Sequence, residues 1–217
     1  MRQIKKSINI YLPEDSGGNR CNSTEFHYLS RIYARNMRKE YMIKFFPRDK
    51  WNQFLKEMNQ TNRTEFSAII LDFDFQVGGG DIQRQVEKIQ QLANSINGKN
   101  AKIYLSSRSW EVWMCMHNCP YTKPFVSQDV LNKDVASDYE KKQEWYKQNE
   151  NDLKSKLNDA VNNARISRGI TMRNSPIQDL ITQLPDYRDS FVLNELANIG
   201  TFTYIDFLIE DLRVYSI

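Results

Sequence analysis

The stretch Ser67-Ala68-Ile69-Ile70-Leu71-Asp72-Phe73-Asp74-Phe75 limits what this chain can become more than any other. A run that is apolar at successive positions is covered on both faces, the pattern of a central strand in an α/β sheet. Open α/β sheets bind ligands beyond the carboxyl ends of their strands, and Asp72 and Asp74 stand at such an end. Residues i and i+2 of a strand point the same way, so the two carboxylates can converge on one hard cation. Oxygen-only ligation suits Mg²⁺ or Mn²⁺. Two solvated acids closing a strand before the turn Gly78-Gly79-Gly80 would give the same spacing.

The flanking segments supply the rest of such a sheet. Ser7 to Leu12 alternates and meets Pro13, which stops a first strand, with Glu14 just beyond it. After a turn-rich loop holding Arg20, Ser23 or Thr24 can cap a helix to about Arg38, with Phe26, Leu29, Tyr33 and Met37 on one face. Tyr41 to Phe46 reads as a second strand closed by Pro47, and Asp49 to Met58 as a short helix. Asp81 caps a helix through about Ile96 that Asn97-Gly98 ends, and Ala101 to Leu105 is a further strand. Four strands alternating with helices predict a largely parallel sheet. No Gly-Lys-Ser/Thr follows the glycines of the first loop, so a phosphate-cradling loop of the nucleotide-triphosphatase kind is absent there.

Next comes Ser109-Trp110-Glu111-Val112-Trp113-Met114-Cys115-Met116-His117. With Ser109 as cap, Glu111 lies in the first turn of a helix, on the same rim as Asp72 and Asp74. There it either completes an acidic site or interacts with the helix dipole. From Tyr139 to about Arg168 a polar helix with a sparse apolar stripe is expected, then a second one starting at Ser175-Pro176. The end, Phe191 to Ile217, is apolar and aromatic enough to pack on the core or against a partner.

Composition narrows the class. The 217 residues are 40% hydrophobic and 26% charged, ordinary for a globular protein, and the net charge of +3 permits a polyanionic partner without demanding one. Three cysteines (Cys21, Cys115, Cys119) and two histidines (His27, His117) argue against a disulfide framework or a structural zinc site. No apolar run approaches the roughly 20 residues of a membrane span, and Met1 to Lys6 leads into a strand instead of a signal-peptide core. A cytoplasmic location without membrane contact is expected.

The order of these motifs carries a resemblance. Thr24-Glu25-Phe26-His27-Tyr28-Leu29, then Asp72-Phe73-Asp74, then Trp110 to His117, then Asn174-Ser175-Pro176 with Leu180-Ile181, resembles the RloB-like family of Toprim-fold proteins over roughly residues 8 to 184. That family shows a T-E-x-x-Y-F helix start, a D-x-D strand end, an N-P-x-F-E-x-W-L-L-L-H segment and an N-P-S-T helix start. The resemblance implies a Toprim-like, mostly parallel α/β sheet flanked by helices over residues 1 to 135, with a helical C-terminal region over 136 to 217. It further implies a Mg²⁺- or Mn²⁺-dependent nuclease acting as a toxic effector in anti-phage defence, on RNA such as tRNA in preference to DNA. Asp72 and Asp74 match the metal-holding pair, and Glu111 the glutamate of F-E-x-W. Arg20 stands where the family carries its first glutamate, so Glu14, at the end of the first strand, is the candidate third ligand and base. Arg20, Lys102 and Arg108 are candidate contacts to substrate phosphates, each equally readable as a surface charge. A different class is a catalytically silent Toprim-like interaction module, regulated by a partner ATPase, with the aromatic C-terminus as its docking surface. Both leave a homo-oligomer open.

Overall fold

The protein, described from a computed structural model, is an α/β fold whose described residues are 8–13, 23–33, 41–46, 50–60, 65–73 and 81–215. Five strands form one sheet in the order β2-β1-β3-β4-β5, with β1 Ile8–Pro13, β2 Tyr41–Phe46, β3 Phe66–Phe73, β4 Ala101–Ser107 and β5 Phe202–Thr203. The first four are parallel and β5 is antiparallel to β4. The apolar run from Ala68 to Leu71 is buried at every position, as a central strand requires.

Alternation along the strands sorts side chains into two cores. Ile8, Ile10 and Leu12 of β1 and Ala68 and Ile70 of β3 face one side, packing on α1 (Thr24–Tyr28), α4 (Glu111–Cys115), α8 (Leu157–Thr171) and α10 (Ile205–Tyr215). Tyr11, Ile69, Leu71, Phe73 and Leu105 face the other, against α2 (Trp51–Gln60), α3 (Ile82–Ser95) and α9 (Ser190–Ile199). The expected helix starts hold at two caps: Ser23 accepts from the Phe26 amide, and Asp81 from that of Arg84. Gly98, at φ 71°, makes the turn into β4.

The polar stretch after Tyr139 is not one helix. It breaks into α6 (Gln143–Gln148), α7 (Glu150–Ser155) and α8, following α5 (Gln128–Val135). Asn149 and Lys156 leave helical geometry at the two joints. The Asn149 amide donates to the Trp145 carbonyl at 3.0 Å and the Ser155 hydroxyl to that of Asp152 at 2.8 Å, side chains competing for backbone acceptors. After Pro176 the chain makes only a 3₁₀ turn, Gln178–Ile181, in place of the expected helix.

The C-terminal region is tied to the sheet by a buried ion pair. Arg168 and Asp206, both 0% exposed, meet in two parallel contacts of 2.7 and 2.6 Å. The guanidinium also donates to the carbonyls of Ile181 and Thr203, and lies over the rings of Tyr204 and Phe207. Four of the five guanidinium N–H groups of Arg168 are thereby used, which offsets the cost of burying the charge. Asp206→Ala strands that cation, so urea unfolding should show a loss of about 3–5 kcal/mol, with Arg168→Met/Asp206→Leu recovering part of it. A loss below about 1 kcal/mol would contradict the structural role given to the pair.

Candidate functional site

The carboxyl rim of the sheet collects the chemistry. The chain passes from β1 to β2 on one side and then to β3 on the other, so the strand order reverses between β1 and β3, where open α/β sheets leave a crevice. Asp72 is the second-last residue of β3, half-buried and opposite Ser106 of β4. The β1–β3 register runs from Ile8↔Phe66 to Tyr11↔Ile69, and extending it brings the end of β1 beside Leu71 and Asp72. Asp72 has the parity of Ala68 and Ile70, so it projects on the face that carries α1 and α4. Asp74, Glu14 and Arg20 lie outside the described residues.

Glu111 starts α4 just after β4, on that same rim and face, and is 1% exposed. Ser109 does not cap this helix: its hydroxyl donates to Glu111 Oε2 at 2.8 Å, and Trp110 takes the cap position without a side-chain bond. Gln128 Nε2 reaches the same oxygen at 3.2 Å. Oε1 accepts from the Tyr139 hydroxyl at 2.9 Å and meets the Lys141 ammonium at 3.0 Å. The Tyr139 and Tyr146 hydroxyls are 3.0 Å apart. Both carboxylate oxygens thus hold two partners each, and one partner is already a cation.

Beside it stands a carboxylate that motif reasoning passed over. Glu25, buried in the first turn of α1, accepts from the Thr24 hydroxyl at 3.2 Å, and burial together with the Glu111 charge pushes its carboxyl above the ordinary range. The signal was helical spacing: Glu25, Tyr28, Leu29 and Ile32 fall at i, i+3, i+4 and i+7, so the acid belongs to the buried stripe. Two carboxylates thus share one ammonium, and the repulsion between them is one cause of the raised Glu25 carboxyl. That cluster joins α1, α4, α5, the segment 136–142 and α6, and a divalent cation does not fit it while Lys141 is in place.

Nearby, His27 is held below its usual pKa by burial and by Arg31, and His117, whose Nε2 is 3.0 Å from the Tyr28 hydroxyl, is lowered by burial to about 4. Burial disfavours the charged form of both imidazoles. Among the described residues no three of His, Cys, Asp and Glu gather closely enough to hold one metal ion. The part of the proposed donor set that is described, Asp72, is an oxygen donor at a half-buried strand end, and that chemistry suits Mg²⁺ or Mn²⁺.

The candidate phosphate contacts separate. Arg108 is half-buried directly after β4, its guanidinium 5.5 Å from the centre of the Phe125 ring, and remains at the rim. Lys102 does not. It lies at the opposite end of β4, four residues before Ser106 and so roughly 13 Å away along the strand, and is bound to Asp211 of α10 at 2.7 and 2.8 Å. Its place at the amino end of the strand removes it from the site. In comparison with known proteins the chain matches no family model, no curated protein and no solved structure. Among the described residues no helix is long and apolar enough to cross a membrane.

The raised carboxyl of Glu25 fixes a sign. Its folded pKa exceeds its unfolded one, so the stability it confers is fully present below the ordinary carboxyl pKa and is lost as pH rises through the folded value. Glu25→Gln carries the neutral form at every pH. The variant should therefore gain on the parent protein in urea midpoint as pH rises above the ordinary carboxyl range. A parent that gains on the variant with rising pH would show Glu25 to be ionised.

Proposed function

We propose that this chain is a metal-dependent nuclease, cleaving RNA in preference to DNA and acting as a toxic effector in anti-phage defence. The observation that carries the reading is the place of Asp72, at the carboxyl end of a central parallel strand, beside the end of β1 where the strand order reverses. Asp72 and Asp74, joined by Glu14, are the residues that would hold Mg²⁺ or Mn²⁺. When bound, such an ion neutralises charge on the scissile phosphate and makes water a better nucleophile. Glu14, the carboxylate that directly follows Pro13, is assigned the base. Arg108, its guanidinium plane steadied against Phe125, can present two N–H groups to a phosphate. Glu111 serves by position: it neutralises Lys141 and holds α4 and α5 against the rim.

A second reading, a catalytically silent module controlled by a partner ATPase, draws on the full engagement of Glu111, which leaves the rim one free carboxylate fewer than the motif suggests.

Incubation with labelled RNA and DNA, with Mg²⁺ or Mn²⁺ and with a chelator, separates the two. RNA cleavage that the chelator abolishes, and that Asp72→Asn lowers by at least about 100-fold without lowering the melting temperature, is expected, because a metal ligand contributes several kcal/mol. Absence of metal-dependent cleavage, with cellular toxicity unchanged in Asp72→Asn, would favour the silent module.

A further inference from the structure

On the face of the sheet away from Glu111, a surface groove of about 530 Å³ runs between α2 and α3. In the chain α2 follows β2 and α3 follows β3, so the first turns of both helices, which line the groove, lie toward the carboxyl rim that carries Asp72. Arg84, Lys88 and Gln91 line it from α3 at i, i+4 and i+7, a stripe about 10 Å long. Lys50 and Trp51 line it from the start of α2.

Two features make this more than a solvated helix pair. First, Lys50, Arg84 and Lys88 form no ion pair among the described residues, although Glu87 lines the same groove and takes a hydrogen bond from Gln83 instead. Second, Trp51 is a fixed wall: it packs on Phe46 and Phe54 with ring centres 6.2 and 5.7 Å away, and the Lys88 ammonium sits 5.7 Å from its ring centre.

We propose that this groove holds the phosphate backbone of a single-stranded nucleic acid on its way to the Asp72 rim; this rests on the nuclease reading and adds where the strand lies. Cations tracking a backbone beside an aromatic wall are the combination used for single strands, and a stripe of this length spans a few phosphates. Lys88 moves from the indole ring to a phosphate, and the freed ring face flanks the strand.

The test is fluorescence anisotropy with a short labelled RNA and the full chain in chelator, where binding is read without cleavage. Arg84→Ala and Lys88→Ala should each weaken binding several-fold and reduce the slope of log affinity against log salt by about 0.7, the value for one phosphate contact on a single strand. Trp51→Phe, which keeps the ring packing, should also weaken it, whereas Lys154→Ala, on another surface, should not. Wild-type affinity in Arg84→Ala and Lys88→Ala would overturn the proposal. So would a duplex binding as tightly as the single strand, or inorganic phosphate competing at the RNA's own affinity. RNA bound through the groove but never cut in Mg²⁺ would overturn the nuclease reading and leave the groove standing. Cleavage with unchanged KM in Arg84→Ala/Lys88→Ala would do the reverse.

Discussion

Glu111 is a charge placed where water does not reach, at the start of a helix packed with Trp110, Trp113 and Met114. An ion in such a place costs several kcal/mol unless its lone pairs and its charge are both answered. Here four groups answer it, from three parts of the chain: Ser109 before α4, Gln128 of α5, and Tyr139 and Lys141 of the segment that leads into α6. Satisfying this carboxylate is what fixes the course of residues 121 to 146 around the rim. The Glu111 charge also adds to burial in raising the Glu25 carboxyl above the ordinary range.

The rim is therefore divided. Toward α4 and α6 the charges close on one another and make a rigid cluster. Toward β1 and β3 the described carboxylate is Asp72, on a strand end where the order of the sheet reverses. The division gives Glu111 a different part from the one its motif suggests: it shapes the wall of the crevice. Arg168 and Asp206 do the same for the far side, locking α8 to β5 and α10 through a bidentate pair with no exposure.

Much of the fold was legible because burial on both faces leaves a direct trace in sequence. The run from Ala68 to Leu71, the prolines after Leu12 and Phe46, and the caps at Ser23 and Asp81 each have one local cause, and each is where the periodicity puts it. The breaks at Asn149 and Lys156 were not legible, since they fall in a stretch whose composition suits a continuous helix and the side-chain bonds to the Trp145 and Asp152 carbonyls there have no spacing signal. At the site, Asp72 and Arg108 could be placed at the rim from strand and loop order alone. Lys102 was named with them although it is the second residue of its strand, which in a parallel sheet is the amino end, so its removal from the rim was legible by the same order. Glu25 was visible only as an acid inside an apolar stripe, and the four partners of Glu111 come from positions whose contacts no spacing encodes.

The central claim is that a divalent cation is held at the Asp72 end of the rim and not by the cluster around Glu111. Titration with Mn²⁺, followed by electron paramagnetic resonance, tests it directly. The account predicts one ion per wild-type chain, its loss in Asp72→Asn/Asp74→Asn, and its retention in Glu111→Gln; unchanged binding in the double variant, or loss in Glu111→Gln alone, would contradict it.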